Sequence, residues 1–279
     1  MKKYELTSEF KLNMFGKKVF RIKALIDFDD VKAGDLGGWI EKEENLSQEN
    51  NAWVYGDAEI FGNAKVFGDA KVFGDAEVSS NAKVYGNAVV CGNAKVYGNA
   101  EVRGNAEVYG DAKVFGNAEV YGNAMVYGNA RVYGDASIYG NAVVYGDVRV
   151  WGNAEVFGSA WVYGNAMVYG NASIYGNAVV YGDAEVSGNA DVRGNADYTI
   201  IKGFGSIFRD TTFFRCKDNL IRVSCGCFYG TIDEFRERVK KTRYGKTAKE
   251  YLMIADLMEY HFMSEGSEGI FEEPNGSTK

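Results

Sequence analysis

"NAKVYGNAEVRGNAEVYGDAKVFG", residues 93–116, repeats nearly the same six letters four times. From Asn51 to Gly194 the chain divides into 24 such hexads without an insertion, with the consensus (N/D)-A-x-V-(Y/F)-G. The fourth position is always Val or Ile, the second is Ala except at Val148, and the sixth is Gly except at Ser80. A small and a branched apolar residue two positions apart lie on the same face of a strand. Gly followed by Asn or Asp marks a turn with positive φ, which these residues tolerate best. A helix is excluded, because a Gly and a β-branched residue in every hexad both disfavour it. Short strand and tight turn, repeated in this way, give a coil that closes after three hexads, or 18 residues. The expected fold is an all-β solenoid, a left-handed parallel β-helix of about eight coils, roughly 38 Å long at ~4.8 Å per coil.

These hexads resemble the hexapeptide-repeat superfamily, in which a small residue precedes an aliphatic one by two positions. The resemblance covers about half of the chain, Asn51 to Gly194. It implies the solenoid fold and, for activity, either a trimeric acyltransferase or a non-enzymatic scaffold. In the acyltransferases of that superfamily a surface His near a subunit seam serves as general base. The single His of this chain, His261, lies outside the repeats, in an expected helix, where a helix-surface role is the simpler reading. No insertion leaves the hexads to enclose an acyl carrier. Asp111, Asp135 and Asp147 alternate with Asn at the turn position, so turn geometry accounts for them. The reading therefore expects no catalytic residue, no enzyme and no cofactor.

Composition agrees with a packed protein. Apolar residues make up 46%, and Gly reaches 35 while Pro is 1, so the glycine is positional rather than that of a linker. A net charge of −7 argues against generic nucleic-acid binding. Four cysteines, Cys91, Cys216, Cys225 and Cys227, form no disulfide framework, and Cys225-Gly-Cys227 lacks the companions a metal site needs. The N-terminal segment has no apolar core of a secretory signal, and no stretch is apolar for long enough to span a membrane. A cytoplasmic protein is the expectation.

Residues 18 apart stack on one face, so the variable positions three and five sort into three faces. Face one carries Val89, Met125, Val143, Trp161 and Val179 at position three. Beside them stand Tyr127, Tyr145 and Tyr163 at position five. An apolar, aromatic patch of this kind has the composition of an interface core, and self-association as a dimer or trimer is expected through it. Face two carries Lys95, Lys113, Arg131 and Arg149 in successive coils, flanked by aromatics that include Trp151. Like charges about 5 Å apart repel, so an anionic group, for example a nucleotide, or an acidic protein partner would relieve them. Face three is mainly acidic in its second half.

Solenoids need caps. Residues 1–50 are read as an N-terminal cap and lead-in coil, with Ile40 and Leu46 in register with the Ala column. The β-helix is placed at 51–196. Residues 197–264 are read as a β-β-α-α module, with a hairpin turning at Lys217–Asn219 and capping boxes at Thr231/Glu234 and Thr247/Glu250. Arg209, Arg215 and Arg222 around that hairpin are candidate docking residues. Residues 265–279 are a polar tail expected to be disordered. The module resembles uncharacterised C-terminal pieces of phage and prophage proteins. Together these readings favour a non-enzymatic oligomeric interaction protein of phage origin that binds or inhibits a host protein. Sequestration of a phosphorylated small molecule or nucleotide, and divergent acyl transfer, are the alternatives.

Overall fold

The computed structural model describes residues 1–205, 208 and 210–263. The chain divides into two compact units after Asn195. In the first, the hexads wind as a parallel β-helix. Positions three and four pair with their counterparts 18 residues on, as in Lys95↔Lys113 and Val96↔Val114. The strands fall into three sheets, two of eight strands and one of eleven. Ala94, Val96, Ala112 and Val114 have no accessible surface, and the same holds along both columns. Burying a Val stabilises by ~1.5 kcal/mol or more, and only stacking supplies that burial. Between coils, the Lys95 N–H donates to the Ala112 carbonyl at 2.9 Å and the Tyr97 N–H to Val114 at 3.0 Å.

Position one builds a second ladder. The Asn81 amide donates to Asn99 Oδ1 at 3.0 Å, Asn99 to Asn117 at 2.9 Å, and Asn117 to Asp135 at 2.8 Å. A carboxylate only accepts, so each Asp ends a run. Asp111 and Asp147 likewise accept from Asn93 and Asn129. The aspartates therefore belong to the turns.

Three strands precede the hexads: β1 (Tyr4–Leu12), β2 (Lys18–Ala24) and β3 (Leu36–Ile40). β1 and β2 form an antiparallel hairpin, β3 pairs antiparallel with β2, and β3 runs parallel to the face-two strand Glu59–Ile60. The lead-in coil thus adds a turn to the eight expected from the hexads. Ile40 and Leu46 pair with Ile60 and Val66. They stand in the branched column rather than the Ala column, because the lead-in coil carries two extra residues. Its open end is plugged by side chains. The Ala52 carbonyl lies where later coils accept from the coil before; here the Lys3 ammonium donates to it at 2.8 Å and to Asn50 O at 3.2 Å. Burial pulls the Lys3 ammonium down to a pKa of about 8. The Tyr4 hydroxyl likewise donates to the Leu46 carbonyl at 2.7 Å.

The second unit holds a four-stranded antiparallel sheet, Tyr198–Ile201, Thr211–Arg215, Ile221–Cys225 and Phe228–Thr231. Two helices follow, α1 (Ile232–Thr242) and α2 (Gly245–His261). Phe213, Val223, Phe235 and Met258 share its core. The hairpin turns at Asn219, φ 61°, and Thr231 with Glu234 caps α1 through a capping box. α2 departs from expectation: it starts at Gly245, its N-cap is Tyr244, and no side chain caps it. Gly245 takes φ 58° just past the α1 cap at Arg243, so helix resumes before Thr247 can serve as a cap. Among the described residues no helix is long and apolar enough to cross a membrane. The tail expected at 265–279 lies outside the described residues.

Candidate functional site

On face two, position five reads Phe61, Ser79, Tyr97, Phe115, Tyr133, Trp151, Tyr169 and Ser187. From Tyr97 to Tyr169 the rings stack coil upon coil, with centroids 4.9, 4.9, 5.7 and 4.3 Å apart and planes within 7°. Between Phe61 and Tyr97 the ring is missing, because Ser79 stands there. The next residue, Ser80, occupies a corner that is Gly in every other hexad, at φ 61°. A side chain in this left-handed region costs roughly 1–2 kcal/mol. Ser80→Gly is therefore expected to stabilise the solenoid by about 0.5–1 kcal/mol, after the larger unfolded-state entropy of Gly is subtracted. A thermal melt no higher than wild type would show that Ser80 carries no strain.

Both departures line one groove of about 490 Å³. Its walls are Glu77, Ser79, Ser80, Lys95, Tyr97 and Lys113 of face two and Met14, Phe15 and Lys17 of the β1–β2 loop. That loop is held in shape by Asn13, whose Oδ1 accepts from the Phe15 and Lys17 N–H groups at 3.0 and 2.9 Å. Phe15 packs on Phe61 at 5.6 Å, and Phe61 is buried with Val19 and Trp39. Inside the groove Lys95 Nζ lies 2.7 Å from Glu77 and 3.9 Å from the Met14 sulfur. Lys17 pairs with Glu41 at 3.1 Å. Lys113 has no ion-pair partner among the described residues. The arrangement joins a positioned carboxylate, two free hydroxyls, an uncompensated ammonium and an open ring face.

Other expected site residues are placed differently. Of the face-two cations, Lys95 is already paired, whereas Arg131 and Arg149 are exposed beyond the groove. Trp151 is a rung stacked between Tyr133 and Tyr169. On face one, Tyr127, Tyr145 and Tyr163 stack on one another at 4.9 and 5.0 Å. Trp161 stands edge-on to Tyr145 at 6.4 Å, and its strand partner Val143 is only 4% exposed. Val89, Met125 and Val179 are half-buried. Near the C-terminal hairpin, Arg215 donates to Asp197 at 3.1 Å and to the Phe262 carbonyl at 2.9 Å, and Arg222 pairs with Asp218 at 2.7 Å. Both guanidinium groups are thus engaged within their own unit, while Arg209 lies outside the described residues. His261 ends α2 on an exposed surface, edge-on to Phe262.

The groove itself was not anticipated. Its signal was present as two successive departures from the consensus, Ser79 and Ser80, in the fifth hexad.

Comparison with known proteins meets this geometry at the repeats. The family model described as the YdcK beta solenoid repeat matches residues 118–134 and 160–174. The chain is a hexapeptide-repeat β-solenoid. The chain is also 44% identical over 62 residues to the uncharacterized acetyltransferase YdcK of Escherichia coli (strain K12). That match takes in 20% of this chain and 19% of the relative, so the chain spans about a fifth of the length of the protein it matches. The expectation of a non-enzymatic interaction scaffold of phage origin is corrected here: the similarity runs to a bacterial protein named for acetyl transfer. The physical premise of that expectation also weakens. Some outward residues read as waiting for a partner are instead engaged with the neighbouring coil: Lys95 pairs with Glu77 at 2.7 Å, and Trp151 stacks between Tyr133 and Tyr169.

Proposed function

We propose that this solenoid transfers an acyl group to a small molecule held in the groove at Ser79, with Glu77 as proton acceptor. The observation that carries the reading is the groove's position: the N-terminal hairpin closes over the one hexad that lacks both the ring and the glycine. The similarity of a fifth of the chain to a protein named as an acetyltransferase supports the choice of chemistry. In such a transfer the acceptor's hydroxyl or amine attacks the carbonyl of an acyl thioester. The proton it loses passes to Glu77, the C–S bond breaks, and the thiolate leaves and takes that proton. Lys95, 2.7 Å from Glu77, positions the carboxylate. A carboxylate in this role replaces the imidazole that the repeats lack.

The test supplies the full chain with an acetyl thioester and a panel of amine and hydroxyl acceptors. Thiol release and acetylated product are followed together. Turnover is expected, and Glu77→Gln is expected to lower kcat about 100-fold or more with the circular dichroism spectrum unchanged. Equal turnover by Glu77→Gln would remove that residue from the mechanism. Absence of acetylated product across the panel would overturn acyl transfer.

A further inference from the structure

The ring ladder of face two is one ring short where the cavity opens. Elsewhere in the solenoid, breaks at position five are occupied in other ways. Arg103 lays its guanidinium over Tyr121 at 4.1 Å and so serves as a rung. Arg193 approaches Tyr175 in the same manner, at 6.0 Å. Ser187 is buried, at 2% exposure, and Cys91 keeps a half-buried sulfur in place of a ring. At Ser79 the space instead lies open between the hairpin and Tyr97. Phe15 does not complete the ladder: it is 62% exposed and meets Phe61 at a 43° tilt, unlike the parallel rungs beyond Tyr97.

Two coil spacings separate the Phe61 and Tyr97 positions, roughly 10 Å at the strand repeat, so a flat ring midway would meet Tyr97 at an ordinary stacking distance. Charge adds a second demand. Of the three ammonium groups lining the groove, Lys95 is compensated by Glu77 and Lys17 by Glu41. Lys113 follows Lys95 in strand register, one coil on, and lacks a carboxylate partner among the described residues. A ligand seated at position 79 would place an attached anion within its reach.

We infer that the groove binds a small molecule made of a flat aromatic ring and an anionic group, the ring completing the ladder at Ser79 and the anion facing Lys113. Two sources share this chemistry, a nucleoside phosphate and an aromatic carboxylic acid. The inference rests on the reading of the groove as the small-molecule site, but it concerns binding and needs no acyl donor.

Isothermal titration of the full chain tests it with adenosine 5′-monophosphate and 4-hydroxybenzoate as ring anions. Ribose 5-phosphate, which has no aromatic ring, and adenosine, which has no anion, are the controls for the nucleotide; cyclohexanecarboxylate and phenol are the corresponding controls for the benzoate. At least one ring anion is expected to bind, with each matching control weaker by about tenfold or more, as stacking and a charge-assisted contact each contribute on that scale. Which ring anion binds identifies the source. Ser79→Tyr restores the consensus residue, so it is expected to fold at least as well and to weaken binding of the ring anion tenfold or more. Lys113→Gln is expected to weaken the ring anion similarly while leaving adenosine unaffected. Ribose 5-phosphate binding as tightly as the ring anions, wild-type binding by Ser79→Tyr, or no binding of either ring anion at millimolar concentration would overturn the proposal. Binding without acetyl turnover would sink only the acyl-transfer reading, and turnover without ring dependence only this one.

Discussion

Val126→Asp is expected to destroy the cooperative unfolding of the solenoid rather than shift it. Val126 has no accessible surface and pairs in register with Val108 below and Val144 above, themselves fully buried. A carboxylate there enters an interior built from the buried Ala, Val and Ile columns. Leaving it ionised without a partner, or protonating it, costs several kcal/mol, against a total stability of order 5–15 kcal/mol. Position matters as much as chemistry. Each coil contacts its neighbours alone, so a fault near the middle separates two blocks of about four coils that no longer support each other. Thermal circular dichroism is expected to show a broadened transition lowered by 10 °C or more, with new proteolytic cleavage around residue 126. The same substitution at Val186, near the last coil, is expected to fray only that end. A sharp melt within a degree or two of wild type for Val126→Asp would mean that the branched column is not what holds the coils together.

Much of this molecule was legible because the same physical question is posed 24 times. Ala at position two, Val at position four and Gly at position six each answer one constraint, and the register of 18 follows from their spacing. What was not legible depends on contacts across long stretches of chain. Lys3 reads as a surface residue until the first coil is built and the Ala52 carbonyl is found without a donor. Arg215 and Arg222 look like free charge in the sequence, and only the fold of their unit reveals Asp197 and Asp218 as partners. Face one looked continuous as a list of letters, yet Val143 is nearly covered. The departures at Ser79 and Ser80 were visible, but their meaning rests on a loop at Asn13–Lys17 that no repeat pattern points to. The inference against enzymatic activity rested on a missing imidazole. The 18-residue register already stacks Glu77 on Lys95, but only the folded hairpin makes that pair one wall of a groove.

Gly98→Ala should produce the second large effect, and it separates two reasons for a glycine corner. Gly98 adopts φ 75°, and a Cβ there would lie 2.9 Å from both the N and the O of Gly116 in the next coil. The left-handed conformation alone costs roughly 1–2 kcal/mol for an L residue. The contact adds to it, because the obstructing atoms are backbone. Gly116 cannot retreat freely either, since its carbonyl accepts from the Asn99 N–H at 2.7 Å and the Asn117 N–H that follows it donates to the Gly134 carbonyl at 2.8 Å. A total loss of about 2–4 kcal/mol follows, or a fall in Tm of roughly 6–12 °C for a unit of this size. Gly34→Ala is the control. Gly34 lies in the same unit at φ 100° with nothing within 4 Å of its added Cβ, so only the conformational cost of roughly 1–2 kcal/mol applies and a fall of about 3–6 °C is expected. Equal falls for the two variants would show that the corner glycines serve φ alone and that the coils have room to part. Ser80 bears on the same point, since it stands one coil before Gly98 and already carries a Cβ at φ 61°. The solenoid accommodates that side chain at the edge of the groove. Gly98→Ala would place a second Cβ directly after it, where the next backbone closes the space.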